Sequence, residues 1–346
     1  MSATARLSGP ADMLAVLPYL LGYHPTGSLV VVAIGDGGRM GVVQRIDLPQ
    51  AGESAHAAAS ALVPALLRDG ARSVTIIGYE MITGSSVAPA EVLSGLAAAE
   101  GIEVVDTLVV RGDRWWSTAC EDPTCCPAEG KPLSGTSAAA AELIGVGCAP
   151  LPNRTAVAAR LAPTARAASL VAECERQSGT PGEITAARGL AAWARVLGTT
   201  DDVPVTDLPD SALCLAALVL QDIEARDGLI AWLTPGTLPL DLVRPDLIGL
   251  LDKAIQVPWR KTGETAPIAG AESSHRAQDR LMTLCANLPD SHACPALTML
   301  ANLAWWRGDG AIARLALDRA LAADPGYRLA ILLSRMVELG IRQTDR

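Results

Sequence analysis

The sequence predicts an α/β fold in which a mixed sheet of about four to five strands with flanking helices is followed by an all-α domain. Three observations predict this organisation. The chain has 346 residues, more than one hydrophobic core usually organises. Aliphatic runs rich in β-branched residues alternate with helical patterns in the first third of the chain. Beyond residue 137, helical spacing continues with no strand-like run between the segments.

Residues 1–150 are predicted to form the α/β domain. A helix over 13–21 ends at Gly22, and a hairpin follows, with strands over 29–34 and 40–48 joined by a glycine-rich turn. The later elements alternate helix with strand, at 52–68, 73–79, 88–100, 102–110 and 115–118. Continuous aliphatic runs such as VVDTLVV indicate a sheet with both faces covered.

Residues 151–346 are predicted to form the helical domain, with a terminal hairpin over 295–323 and a capping helix over 328–339. The hairpin has the spacing of a tetratricopeptide unit at Leu300, at the Gly308-Asp309 turn, at Ala313 and Ala320, and at the closing Asp324-Pro325. The large aromatic residues are shifted to Trp305 and Trp306. An ordinary helical hairpin is the alternative, because one unit alone does not establish a repeat array.

Composition excludes several classes of function. The formal net charge of −9 disfavours binding to nucleic acid or to anionic lipid. No apolar run reaches the roughly 18 residues that a membrane span needs. The N-terminus lacks a charged region followed by an apolar one, so a cytoplasmic location is expected. Oligomeric state is left open.

Polar residues follow the strands at one predicted sheet edge. If the glycine turn reverses the first strand, the next three strands run opposite to it. That edge then collects Tyr23 together with the candidate ligand-binding residues His24, Asp47, Tyr79, Glu80, Arg111 and Asp113. Acids and an arginine at the carboxyl ends of parallel strands could bind a small anion or transfer a proton. The alternative is that these residues are caps, turn residues and exposed ion pairs.

Three cysteines cluster in the segment CEDPTCCPAEG, within a predicted loop at 120–131. Cys120, Cys125 and Cys126 have the residue type that zinc prefers, and Cys148 is a candidate fourth ligand. The paired CxxC motif of zinc knuckles is absent, so ordinary thiols and a reversible disulfide stay as alternatives. His24 is a less suitable ligand, because it is expected at the opposite edge of the sheet.

Three segments carry a family resemblance: LSGPADMLAVLPYLLGYHPTGSLVVVAI, DRWWSTACEDPTCCPAEGKPL and AWWRGDGAIARLALDRALAADPGYRLAILL. Together they resemble the domain of unknown function 4192 family of actinobacterial proteins. The resemblance spans nearly the whole chain. It implies relatives but no reaction, since the family is uncharacterised.

Three functional hypotheses follow. The first is an interaction protein whose helical domain binds a protein partner, with Trp305 and Trp306 as anchors. The second is an enzyme or small-anion-binding protein that uses the sheet edge. The third is a structural zinc protein that uses the cysteine loop. The absence of a complete catalytic motif favours the first.

Overall fold

The computed structural model describes residues 7–50, 52–133, 137–145, 149–179, 185–257 and 268–341. Its strands are β1 (Ser28–Ile34), β2 (Met40–Asp47), β3 (Ser73–Tyr79), β4 (Glu103–Arg111), β5 (Arg114–Ser117) and β6 (Lys131–Pro132). Its helices are α1 (Pro10–Leu21), α2 (Ala55–Ser60), α3 (Val63–Arg68), α4 (Val87–Ala99), α5 (Ala138–Gly145), α6 (Arg154–Leu161), α7 (Ala165–Ser178), α8 (Ala186–Leu197), α9 (Asp210–Leu218), α10 (Ile223–Leu233), α11 (Pro245–Ala254), α12 (Ile268–Asn287), α13 (Asp290–Arg307), α14 (Gly310–Ala323) and α15 (Arg328–Glu338).

The strands form one mixed sheet in the order β2-β1-β3-β4-β5-β6. Strand β1 runs antiparallel to both β2 and β3, and β3 runs parallel to β4. The prediction that the first strand opposes its three successors is confirmed. Ser28, at the start of β1, lies opposite Asp47 on one side and Tyr79 on the other. The start of β1 and the ends of β2, β3 and β4 therefore share one edge, which we call the carboxyl rim.

Glycine makes the reversal between β1 and β2 possible. Gly37 and Gly38 have φ of 70° and 73°, a left-handed conformation that side chains with a Cβ rarely adopt. The N–H of Gly35 donates to the carbonyl of Arg39 at 2.9 Å and closes the turn. This segment is a turn between strands and not the start of a long helix.

The sheet has six strands and not the four to five that the sequence predicts. The additional strand is β6, which pairs Lys131 with Trp115 and Pro132 with Arg114. Two residues that include a proline carry no alternating pattern, so the hydropathy of the sequence could not reveal this strand. Its edge position suits proline, which has no N–H to donate.

Both sheet faces are covered, as predicted. On one face, Val31 and Ile76 share a buried core with Leu66 of α3 and Leu93 of α4. On the other face, a larger buried core contains strand residues (Val30, Ile77, Trp115), Leu17 of α1 and many residues of the helical region. This second core is continuous across residue 150, so the helical region covers one face of the sheet.

The predicted terminal hairpin is formed by α13 and α14. Helix α13 ends at Gly308, whose φ is 85°, and the Asp309 carboxylate accepts from the N–H of Ile312 at the start of α14. Ala313 and Ala320 are fully buried, which allows the two helices to approach closely. Helix α13 begins at Asp290, five residues before the predicted start, and Pro295 lies inside it.

No helix among the residues that the structure describes is suited to span a membrane. Within the described parts of the chain, every helix is either too short or insufficiently apolar to cross a bilayer. Helix α12, with 20 residues, is long enough but carries four charged residues between positions 272 and 280.

A buried disulfide joins α7 to α9. Cys174 and Cys214 are 40 positions apart, their Cα atoms are 5.1 Å apart, and both side chains are fully buried. Eight cysteines in 346 residues are too sparse to predict a disulfide scaffold, and local sequence patterns do not show that α7 and α9 are neighbours. The covalent link restricts the unfolded chain and thereby stabilises the helical region.

Replacement of both Cys174 and Cys214 by alanine should lower the free energy of unfolding by about 4 kcal/mol, from the loop-closure entropy of a loop of this length. Urea denaturation monitored by circular dichroism measures the change. Adding a reductant to the unfolded wild-type protein should give a similar loss, whereas the exposed Cys125→Ser control should change little. Equal stability of the double variant and the wild type would contradict the role of this disulfide.

Candidate functional site

The β1–β2 part of the carboxyl rim is an ion-pair cluster. The Arg45 guanidinium lies 2.6 Å from the Asp47 carboxylate and also donates to the Ser28 hydroxyl at 2.9 Å. Arg154, at the start of α6, approaches the second Asp47 oxygen at 3.8 Å. The Asp47 side chain is 67 % exposed, so this pairing holds the α/β layer beside α6 but leaves the carboxylate solvated.

The β3–β4 part of the rim centres on the buried Glu80. Its side chain is only 1 % exposed, and one carboxylate oxygen lies 2.7 Å from the Arg111 guanidinium. The other oxygen accepts from the Ser86 hydroxyl at 2.7 Å and from its N–H at 3.0 Å. The Gly84 N–H donates to the first oxygen at 2.9 Å. Glu80 therefore fixes the loop that joins β3 to α4.

These contacts set the protonation state of Glu80. Burial raises the pKa of Glu80, but hydrogen bonds from Ser86 and Arg111 outweigh burial, so its pKa lies below the ordinary value of 4.5. The carboxylate is ionised at neutral pH and its lone pairs are occupied. Such a group is poorly suited to accept a proton from a substrate. The ion pair with Glu80 also weakens the attraction of Arg111 for an anion.

The other predicted rim residues point elsewhere. Tyr79 is buried in the core shared with the helical region, and burial raises the pKa of its phenol. His24 is exposed, and its N–H donates to the Leu151 carbonyl. Asp113 is exposed in the turn between β4 and β5. Of the six candidate ligand-binding residues, the structure brings Glu80 and Arg111 into direct side-chain contact.

The tryptophans of β5 anchor the loop that follows. Trp115 is buried in the main core, whereas Trp116 faces the other side, as strand alternation requires. The Trp116 indole donates to the Ala128 carbonyl at 3.1 Å, and its ring lies against Gly130. A Cβ on Gly130 would come within 2.5 Å of that ring, so this position requires glycine. The Arg111 guanidinium stacks 5.3 Å from the Trp116 ring centre.

The cysteine loop, residues 118–130 between β5 and β6, brings three thiols together. The Sγ atoms of Cys120, Cys125 and Cys126 all lie within 4.8 Å of one another. A turn at Asp122 produces this geometry, because its carbonyl accepts from the N–H groups of Cys125 and Cys126. The Asp122 carboxylate accepts from the backbone and the hydroxyl of Thr124, which holds the turn.

The surroundings favour thiolate formation at one of the three positions. A hydrogen bond from the Ser117 backbone is the largest effect on Cys126, and it holds the pKa of that thiol below the ordinary value of 9.0. At Cys120 a hydrogen bond from the Asp122 backbone lowers the pKa, but the neighbouring Cys126 thiol and burial raise it above that value. The Lys131 ammonium lies 3.7 Å from the Cys125 sulfur.

The sequence contains a signal for two further residues, one beside the cysteine loop and one beside Glu80, that the sequence analysis did not use. Lys131 is a cation immediately after a cysteine-rich loop, and Ser86 precedes helix α4 at a capping position. Cys148, the candidate fourth ligand, lies outside the described residues. The cysteine loop follows the end of β5, which is antiparallel to β4 and so runs away from the carboxyl rim.

Both candidate partner-binding tryptophans are engaged within the chain. The Trp305 side chain is 7 % exposed, and its indole donates to the Ile341 carbonyl at 2.6 Å. The Trp306 indole donates to the Pro235 carbonyl at 3.0 Å and is half-buried against the main core. The expected exposure of Trp305 is not found, because its ring is buried and its indole is paired with the Ile341 carbonyl.

The Glu80→Gln substitution should lower the free energy of unfolding by about 2 kcal/mol at neutral pH, since an amide cannot replace a carboxylate that accepts charge-assisted hydrogen bonds. The folded-state pKa is depressed, so the stabilisation is fully present above pH 4.5 and is lost as pH falls through the folded-state value. The deficit should therefore shrink in acid. Urea unfolding from pH 7 to pH 3 at constant ionic strength measures it.

The matched control is Glu103→Gln, an exposed glutamate at the start of β4. It should leave unfolding nearly unchanged across the same pH range. A Glu80→Gln deficit that stays constant as pH falls would show that the carboxylate charge is not what stabilises this loop.

Comparison with known proteins gives one match. The sequence profile described as "Domain of unknown function (DUF4192)" matches residues 10–238 and 263–343. No curated protein matches the chain significantly. No solved structure matches it either. Since the profile covers most of the sequence, this chain belongs to the DUF4192 family.

Proposed function

We propose that this protein binds a thiophilic metal ion, with zinc as the best-suited ion, through Cys120, Cys125 and Cys126. The observation that carries the proposal is the convergence of three sulfur atoms within 4.8 Å of one another. Thiolates select zinc and other soft ions over magnesium and calcium, which prefer oxygen ligands. The charged groups of the two rim clusters described above are already engaged in ion pairs within the chain.

The sulfur spacing suits tetrahedral coordination. A zinc–sulfur bond of about 2.3 Å places two sulfurs of a tetrahedral site about 3.8 Å apart. The three sulfurs need to close by no more than about 1 Å, which side-chain rotation in an exposed loop can supply. Lys131 would then offset part of the negative charge of the thiolates.

A fourth ligand would distinguish a structural site from an open one. Structural zinc sites have four protein ligands, whereas open sites have three and a water. Cys148 is our candidate for the fourth ligand. In either case the ion would fix the cysteine loop at the edge of the sheet, where Trp116 and Arg114 already hold it through hydrogen bonds to Ala128 and Gly130. We also propose a cytoplasmic location, where reductants would keep the accessible loop thiols reduced, whereas burial shields the Cys174–Cys214 disulfide from them.

Protein purified in the presence of zinc should contain about one zinc ion per chain, and Cys120→Ser should reduce this to near zero, because two thiolates do not retain the ion. Inductively coupled plasma mass spectrometry after gel filtration gives the zinc content. Cobalt substitution gives a second measurement, since thiolate–cobalt bonds absorb in the near ultraviolet.

The control for this experiment is Cys294→Ala, which removes a buried cysteine of α13 far along the chain from the loop. It should retain zinc. Cys148→Ser separates the two coordination models: loss of zinc identifies it as the fourth ligand, and retention indicates a three-cysteine site. Wild-type protein without stoichiometric zinc or cobalt would overturn the proposal.

A second proposed function, interaction with a protein partner, rests on the outer face of α15. Leu332 lies in α15 and Leu339 directly follows it in helical conformation; they are seven positions apart, which places them on one face, and they are 56 % and 45 % exposed. The helix follows the α13–α14 hairpin and packs on both of its helices. In stacked helical repeats such as tetratricopeptide units, the helix that follows a hairpin packs on that hairpin and offers its outer face to the next helix. We infer that an amphipathic helix of a partner binds this face.

The Leu332→Ser, Leu339→Ser double variant tests this surface. Photo-crosslinking from position 332 in the native host should give a defined product, and the purified partner should bind the wild type at least about tenfold more tightly than the double variant. Leu242→Ser, at a similarly exposed leucine elsewhere, is the control and should bind normally. Equal binding by all three proteins would exclude the α15 face.

A further inference from the structure

The thiols of the cysteine loop differ from the other free cysteines in their accessibility. Among the described residues, Cys125 is exposed and Cys120 and Cys126 are partly exposed, whereas Cys285 and Cys294 are 0 % and 5 % exposed. The Cys174–Cys214 pair is buried and already oxidised. A small oxidant in solution therefore reaches the loop thiols before any of these others.

Backbone geometry restricts which of the loop thiols can pair. Cys125 and Cys126 are adjacent, and their Cα atoms are about 3.8 Å apart across a trans peptide, less than the roughly 4.4 Å that a disulfide normally requires. Cys120 is separated from both by several residues, and its sulfur lies within 4.8 Å of each of theirs. Any unstrained disulfide within the loop must therefore include Cys120.

We propose that the cysteine loop is an oxidation site for hydroperoxides, in which Cys120 forms a disulfide with Cys125 or Cys126. The oxidised loop retains one thiolate, so it cannot hold an ion that needs three. Oxidation and metal binding are therefore mutually exclusive states of one loop. Only this exclusion rests on the proposed function, because the disulfide can form in metal-free protein.

The chemistry balances with hydrogen peroxide as the oxidant. One loop thiolate attacks a peroxide oxygen, an S–O bond forms as the O–O bond breaks, and the leaving hydroxide takes up a proton to become water. The second thiol then attacks this sulfenic sulfur, an S–S bond forms as the S–O bond breaks, and a second water leaves with the thiol proton. Two sulfurs are oxidised and one peroxide is reduced.

The experiment uses the full-length protein freed of metal with a chelator and kept without reductant. Treatment with a small excess of hydrogen peroxide should remove two hydrogens from the intact mass and make two thiols unreactive toward iodoacetamide. Peptide mapping should place Cys120 in the new disulfide, with Cys125 or Cys126 as its partner. Dithiothreitol should reverse the change.

Matched variants separate this site from the buried cysteines. Cys294→Ala should form the disulfide as the wild type does, whereas Cys120→Ser should progress to sulfinic and sulfonic acids, because no unstrained partner is left. A Cys125–Cys126 disulfide, disulfides between chains only, or unchanged thiols would each overturn the proposal.

A second measurement tests the exclusion and keeps the two proposals distinguishable. Zinc-loaded protein treated with peroxide should release its zinc to a chromogenic chelator in step with disulfide formation. Failure of the wild type to bind zinc, with the Cys120 disulfide still formed, removes the metal proposal and leaves the oxidation site. Retention of zinc by protein shown to contain that disulfide would overturn the exclusion.

Discussion

The reversal of the chain between β1 and β2 is the constraint on which the arrangement of both sites depends. Because β1 lies between β2 and β3 and runs against both, the ends of β2, β3 and β4 all reach the carboxyl rim. The next antiparallel strand, β5, turns back from the rim and ends at Ser117, opposite Leu108 of β4. The charged rim and the cysteine loop are joined through Trp116, whose ring lies beside Arg111 of the rim and against Gly130 of the loop.

The carboxyl rim and the cysteine loop differ in how far their polar groups are already occupied by contacts within the chain. At the rim, Glu80 receives four hydrogen bonds and Arg111 is held between Glu80 and Trp116. A buried carboxylate with this many donors stabilises a loop and has little capacity left for a ligand. In the cysteine loop, a turn brings three thiols together, and their sulfur lone pairs could still bind a ligand from outside the chain. The rim has more polar residues, but the cysteine loop has more atoms left to bind a ligand, and this difference favours the cysteine loop as the site.

Some of this organisation could be predicted from sequence and some could not. Runs such as 73–79 fixed the strands, and the glycine turn fixed the direction of β1, because both depend on local residue preferences. Local residue preferences do not predict where the side chains at the strand ends point. Tyr79 and Glu80 are adjacent, yet Tyr79 enters the core and Glu80 turns toward Ser86. Strand β6 and the Cys174–Cys214 disulfide depend on tertiary neighbours that no local pattern encodes.

The number of residues that a disulfide encloses determines how much it stabilises the folded protein. The Cys174–Cys214 disulfide closes a segment of 40 positions. A link from Cys120 to Cys125 would close only a few residues, and the loss of loop entropy in the unfolded chain would then stabilise the fold by only about 2 kcal/mol. The short link also lies in a loop that Trp116 and Arg114 anchor independently. Opening or closing it can therefore change the loop locally while the sheet stays folded, which is what a reversible site requires.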